Sequence, residues 1–332
     1  MISALKIFES PTGDPYRNIA VEKHLTEAVG EGEMIIFLWQ NRRTVVIGKN
    51  QNLRAECRVE RLLRDGGHPA RRLSGGGAVY HDEGNLNVSF IARKPDYDTV
   101  RQTNVLLKAV RRLGVPAERT GRNDLTADGR KFSGHAYYEK GSRACHHACV
   151  MMAVDEEALS RYLTVSSDKL ASHGVPSVRS RVVNLRDYVP DICRETLSLA
   201  IREAAEEEYG LKAAAGDPFV WQEETVQKDA AWLASEAWLY GRSIPFTADY
   251  ETRFSWGSLR LQVQVNEGRI RDAVCFSDVM DEAFPAAVQA SLQGVPFDSV
   301  AVSSCLLAME GSSERQAAAR ELADFLRKEL AE

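Results

Sequence analysis

Three consecutive glycines, Gly75, Gly76 and Gly77, follow a pair of arginines in the segment 71–90, RRLSGGGAVYHDEGNLNVSF. Without side chains to shield it, such a backbone lets a ligand come close, and its converging N–H groups favour an anion. Arg72, just upstream, adds a guanidinium whose planar fork matches two phosphate or carboxylate oxygens. Neither GxxxxGK[ST] nor GxGxxG occurs, which removes the P-loop and the dinucleotide fingerprint. A hairpin with a glycine-rich turn is the plain alternative.

A second segment, 121–138, reads GRNDLTADGRKFSGHAYY. It predicts two short strands joined by a DG turn. Period-two alternation then puts Lys131, Ser133 and His135 on one face and Phe132, Gly134 and Ala136 on the other. A cation on a rigid strand can hold an acyl carboxylate and a phosphate together while charge builds in the transition state. Asn123 and Asp124 offer oxygen atoms to a nucleotide or to a magnesium-bound phosphate. A solvated lysine and a simple chain reversal remain open.

The third segment, RACHHACVMMAVD, carries CHHAC. Alternation places Cys145, His147 and Cys149 on one strand face, but neighbours on a single strand converge poorly on a tetrahedral zinc and no second ligand cluster follows. A core strand with polar tips at a pocket is the better expectation. A fourth segment, 169–185 (KLASHGVPSVRSRVVNL), alternates Val178, Ser180 and Val182 against Arg179, Arg181 and Val183. Its arginines suit an anion or an acidic helix.

The elements that must position these residues can be read coarsely. Asp14 before Pro15 marks a helix start, with Gly30 as its stop, over about 15–29. MIIFLW and TVVIG read as strands, RAECRVERLLRDGG as one helix ending at Gly66, and 69–73, 78–81 and 86–92 as short strands. DTVRQTNVLLKAVRRLG is a strongly amphipathic helix, and GRKFSGHAYYE and ACHHACVMMAV are strand-like. A helix follows near 191–209, then a Trp-rich stretch, and from 250 three short strands and helices at about 281–292 and 312–330. Strands often succeed strands without helical crossovers, so the fold class is α+β with a mixed, largely antiparallel sheet. Two domains are expected, 1–242 and a small α+β unit at 243–332.

Composition narrows the function classes. The 332 residues are 44% hydrophobic and 27% charged, as in ordinary globular chains. The longest apolar runs, at 34–39 and 148–154, are far short of the roughly 18 residues of a membrane span. The start MISALKIFES lacks the features of an export signal, and six scattered cysteines suit a reducing compartment, so a cytoplasmic location is expected. Residues 241–332 hold 9 Lys and Arg against 14 Asp and Glu, while residues 41–143 hold 21 against 11. An electropositive face for an anionic ligand is therefore expected around the glycine triplet, with solvated helix faces as the alternative.

Taken together and in this order, ARRLSGGGAVYHDEGNLNVSF (70–90), GRNDL (121–125), GRKFSGHAYY (129–138), CHHACVMMAVD (145–155) and KLASHGVPSVRSRVVNL (169–185) resemble the lipoate-protein ligases of the A type. Weaker similarity covers NIAVEKHL, FLWQNRRTVVIGKNQN and the C-terminal FSWGSLRLQV. The resemblance implies a catalytic domain related to biotin-protein ligases plus an accessory C-terminal domain. It implies ATP and magnesium, formation of lipoyl-AMP from lipoate, and transfer of the lipoyl group to a lysine of acceptor lipoyl domains. Those acceptors would be E2 subunits of 2-oxoacid dehydrogenases and the glycine cleavage H protein, served by a monomer. Carried over by position, Arg72, Gly75, Gly76, Gly77, Ala78, Val79, Tyr80, Asn123 and Asp124 would hold the nucleotide, with Asp124 also toward magnesium. Lys131 would be catalytic, touching both the lipoyl carbonyl side and the phosphate. Trp39, Ser74, His81, Ser133, His135 and His147 would face the lipoyl substrate.

Two other classes stay in view. Cys145 and Cys149 depart from the ligase pattern and leave open an ATP-independent octanoyl- or lipoyl-transferase that works through a cysteine thioester. A nucleic-acid-binding or regulatory module would use the basic block without chemistry, but an overall pI of about 5.9 and the lack of aromatic stacking platforms disfavour it.

Overall fold

A computed structural model of the chain describes residues 1–120, 124–164 and 182–331. In chain order the strands are β1 (Ala4–Glu9), β2 (Glu33–Trp39), β3 (Thr44–Ile47), β4 (His68–Arg71), β5 (Val79–His81), β6 (Asn85–Arg93), β7 (Ala117–Thr120), β8 (Asp124–Ala127), β9 (Arg130–Lys140), β10 (Arg143–Met151), β11 (Ala213–Ala215), β12 (Ala248–Phe254), β13 (Gly257–Asn266) and β14 (Arg269–Ser277). The main sheet runs β11-β1-β2-β6-β10-β9-β8-β7. Only β11, β1 and β2 are mutually parallel; every later pairing is antiparallel. The α+β class with a mixed, largely antiparallel sheet is thus what forms.

Helices cover both faces of this sheet. Thr99–Arg112 and Arg194–Tyr209 lie on one side, where Val105, Leu106, Val110, Leu197 and Ile201 meet Ile36, Leu38, Val88 and Phe90. Pro15–Ala28 lies on the other, its Ile19, Val21 and Leu25 against Phe37, Trp39 and Ile91. Each fully buried side chain of this size contributes about 1.5–3 kcal/mol. Asp14 and Asp98 begin their helices by accepting two backbone N–H bonds each, from Tyr16 and Arg17 and from Val100 and Arg101.

The small sheet β4-β3-β5 carries the glycine triplet between β4 and β5. Beside it the single helix expected over RAECRVERLLRDGG is two, Leu53–Glu56 and Val59–Arg64. The break has a tertiary cause: Arg58 donates its N–H to Tyr162 O and Cys57 bridges Leu163. A C-terminal domain has its own core, where β12, β13 and β14 supply Leu259, Leu261, Val263 and Ile270 to helices Phe284–Leu292, Ser299–Leu307 and Ser313–Glu329. Helix Ser299–Leu307 was not foreseen from sequence. No helix of the described residues is long and apolar enough to cross a membrane.

Candidate active site

The glycine triplet is held from inside. Arg72 is buried, and its Nε donates to Ser74 Oγ at 3.0 Å and Gly75 O at 3.1 Å, while Nη2 donates to Gly75 O at 2.6 Å and Gly77 O at 2.8 Å. Burial pushes its pKa down to about 10, which leaves it charged at neutral pH. Instead of being presented wholly to a ligand, the guanidinium turns most of its donors onto the carbonyls of its own loop. Gly76 has φ +85°, a conformation that favours glycine. Its N–H donates to Val279 O of the C-terminal domain at 3.2 Å. A β-carbon on Gly75 would fall 2.7 Å from Met280 O and nearer still to Val279 O.

The second segment departs from simple alternation. Leu125 pairs with Ser133, yet Thr126 pairs with Lys131, so β9 holds one extra residue, Phe132, in a β-bulge. Phe132 drops into the core. The expectation that Lys131, Ser133 and His135 share one face is therefore corrected. Ser133 and His135 stand opposite Val150 and Ala148, on the side of helix Thr99–Arg112, while Gly134 and Ala136 stand opposite Cys149 and His147. Lys131 joins the latter set, its Nζ 2.7 Å from Asp124 Oδ1. Gly134 makes room for it: a β-carbon there would come within 3.1 Å of both Cε and Nζ of the lysine.

These residues enclose a cavity of about 270 Å³, bordered by Arg72, Gly76, Gly77, Ala78, Val79, His81, Asp124, Lys131, His135, His147, Cys149 and Met280. His81 and His147 are held by buried partners. The Nδ2 groups of Asn41 and Asn87 approach His81 Nδ1 at 3.3 and 3.5 Å, so that nitrogen accepts and Nε2 carries the proton. Nε2 is buried without a partner. Burial, then His147 and Arg72, keep His81 well below its ordinary pKa. His147 Nδ1 lies 3.0 Å from Glu22 Oε1, which also accepts from Ser89 Oγ.

Of the other expected residues, His135 borders the cavity while bonding to a buried neighbour, and Trp39, Ser74, Gly75, Tyr80 and Ser133 do not line it. Trp39 is buried beneath His147, ring centroids 5.1 Å apart, with Nε1 donating to Ser89 Oγ at 2.9 Å. Ser74 props Arg72, and Gly75 meets the C-terminal domain. The Tyr80 ring points away from the cavity and packs on Tyr162 at 5.6 Å. Ser133 Oγ is buried without a partner. His135 Nδ1 lies 2.9 Å from His146 Nε2, and burial followed by Lys131 and Arg119 pushes its pKa down to about 3. Asn123, with most of the segment 169–185, lies outside the described residues.

Glu22, Asn41, Asn87 and Ser89 were missed from sequence. A carboxylate on the apolar face of helix Pro15–Ala28, and polar Asn85, Asn87 and Ser89 alternating with Leu86, Val88 and Phe90, were the available signals. Among the described residues no group of three His, Cys, Asp or Glu side chains is placed to hold a metal ion. Asp124 can offer one carboxylate, so a magnesium ion there fits only with phosphate oxygens and water completing its shell.

Comparison with known proteins gives this geometry its context. The lipoyl protein ligase A/B catalytic domain model matches residues 14–206, and the bacterial lipoate protein ligase C-terminus model matches residues 243–326. Among solved structures, Plasmodium falciparum LipL1 in complex with lipoate is 24% identical with a TM-score of 0.86, covering 98% of this chain and all of that one. A lipoate-protein ligase A bound with ATP is 25% identical, with a TM-score of 0.61 over 73% of this chain and 99% of that one. A bipartite lipoate protein ligase from Thermoplasma acidophilum, studied with its E2 lipoyl domain, is 24% identical, with a TM-score of 0.62 over 74% of this chain and 99% of that one. The catalytic-domain match spans more than half of the sequence, and the chain belongs to the lipoate-protein ligase family of enzymes.

Proposed function

We propose that this enzyme is an ATP-dependent lipoate-protein ligase, with residues 1–242 as catalytic domain and 243–332 as accessory domain. The observation that carries the reading is the placement of Lys131 beside the glycine turn, on one cavity with the buried donor His81 Nε2. A carboxylate and a triphosphate repel one another, so bringing them together needs fixed cations and backbone donors. Lys131 supplies the cation between the two reagents; the turn 75–78 supplies close backbone approach. Arg72 acts here by fixing the turn's shape. Lipoate attacks the α-phosphate of ATP to give lipoyl-AMP and pyrophosphate, and the lipoyl group then passes to the acceptor lysine with release of AMP. Magnesium, held by Asp124 and phosphate oxygens, would neutralise phosphate charge.

The lipoate, ATP and E2 lipoyl domain named with the three related structures support lipoate and ATP as substrates and E2 lipoyl domains as acceptors; the glycine cleavage H protein is an acceptor on the resemblance alone. Six free cysteines suit the cytoplasmic location that this reading includes. The test is lipoate-dependent ATP–pyrophosphate exchange, run beside octanoate and biotin. Exchange with lipoate is expected; its absence overturns the reading. One observation, Cys149 on the cavity wall, favours an ATP-independent acyl transferase as the second reading, and that enzyme would show acyl transfer without exchange.

A further inference from the structure

Cys149 is a thiol with an unusual address. In register it stands opposite Gly134, on the face that carries His147. Its Sγ and Lys131 Nζ lie 3.8 and 3.1 Å from the point that a Gly134 β-carbon would occupy, so thiol and ammonium flank one gap. The Sγ makes a long contact of 3.6 Å to Gly134 O. Cys145, two strand positions before His147, is different: it is fully buried in the core, and burial pushes its thiol well above its ordinary pKa.

The surroundings supply the other parts of an acyl-transfer site. His147 Nδ1 lies 3.0 Å from Oε1 of the buried Glu22 carboxylate, the placement of a general base oriented by a carboxylate. His81 presents a buried, unpartnered N–H to the same cavity, a donor suited to a carbonyl oxygen. Lys131 and Arg72 line the same cavity wall as Cys149 and can hold the phosphate of the acyl-adenylate beside it.

The geometry points to Cys149 as a covalent way station that takes the acyl group from the acyl-adenylate and hands it to the acceptor lysine. This rests on the ligase reading above, which supplies the adenylate. In the first step the Cys149 proton passes to His147, the C–S bond forms at the acyl carbon, and the C–O bond to phosphate breaks as AMP leaves. In the second, the neutral acceptor amine attacks the thioester, the C–N bond forms and the C–S bond breaks. The amine gives up one proton to the leaving sulfur, which restores the thiol, and His147 releases the proton it took from Cys149 to water, the one proton that the overall reaction sets free. No oxidant or further reagent enters.

The test is intact-mass spectrometry of the full chain with lipoate, ATP and magnesium but no acceptor, quenched in acid with a phosphine present. Acid releases adenylate, and the phosphine removes any disulfide formed with the dithiolane, so a surviving lipoyl adduct is acyl. The expected result is one adduct, removed by neutral hydroxylamine and mapped to Cys149. In Cys149→Ser, acyl transfer falls at least about tenfold relative to the variant's own pyrophosphate exchange. The inference is overturned by wild-type protein that exchanges and transfers with no hydroxylamine-labile adduct, or by a Cys149→Ser protein whose transfer keeps pace with exchange. Absence of exchange in wild-type protein instead overturns the ligase reading and removes the donor of the relay.

Discussion

Lys131 Nζ lies 2.7 Å from Asp124 Oδ1, the two side chains meeting from neighbouring strands at the edge of the cavity. Both are about two-fifths exposed, at 41% and 42%, and a pair in that setting is worth at most about 1 kcal/mol. The pair therefore contributes little to the fold and yields readily to a phosphate. Lys131→Met should leave the unfolding midpoint within about 2 °C of wild type while cutting adenylate formation by about 10²–10³, the usual cost of a lost transition-state donor. Near-normal pyrophosphate exchange in that variant removes Lys131 from the mechanism. Asp124→Asn should raise the magnesium concentration needed for half-maximal exchange.

Gly134→Ala tests the same ammonium from below. The new methyl crowds the flexible end of Lys131, at 3.1 Å, and makes ordinary contact with Cys149 Sγ at 3.8 Å, so stability should barely change while the ammonium moves. Exchange should drop by about tenfold, since small misplacements of a catalytic group are costly. A variant as active as wild type would show that Lys131 works from a position other than the one over Gly134.

Arg72→Lys separates shape from charge. A lysine keeps the charge but cannot fork onto Gly75 O, Gly77 O and Val46 O together. Stranding buried carbonyls costs about 1–3 kcal/mol, so the urea midpoint should fall and exchange should weaken with it. An unaltered midpoint would mean that the turn holds its form unaided.

Three buried histidines give stability a pH dependence. His81, His135 and His146 are kept neutral by burial, with His135 pushed down to about 3 and the other two held well below the ordinary value. In the unfolded chain each titrates near about 6.5. Between the folded and unfolded values the unfolded state binds more protons, so this contribution is complete above about pH 6.5 and is lost as the pH falls toward 3. Three such groups give a slope approaching about 4 kcal/mol per pH unit. Urea midpoints at about pH 7, 6 and 5 check this; level midpoints would mean these imidazoles are already protonated in the native protein.

Legibility in the sequence followed the locality of the cause. Helices Pro15–Ala28 and Thr99–Arg112 announce themselves because Asp14 and Asp98 sit at their first turns and act only on residues two and three ahead. The cavity's chemical inventory, from Arg72 to His147, was equally local. The bulge at Phe132 was not, because it is set by pairing with β8, and it moved Ser133 and His135 to the opposite face. Helix Ser299–Leu307 escaped because exposed Val300 and Leu307 blur its apolar stripe. Trp39 and Tyr80 show a related limit: motif position put both at a ligand, whereas strand direction put one beneath the wall and the other in a neighbouring core.

The bond from Gly76 N–H to Val279 O brings the two ends of the molecule into competition. One amide cannot serve both an incoming phosphate oxygen and the carbonyl of the C-terminal domain, so occupancy of one excludes the other. By thermodynamic reciprocity, whatever free energy seating of that domain subtracts from anion affinity at this amide, the anion subtracts from seating. An anion held at this amide and a seated C-terminal domain would thus oppose one another through a single N–H.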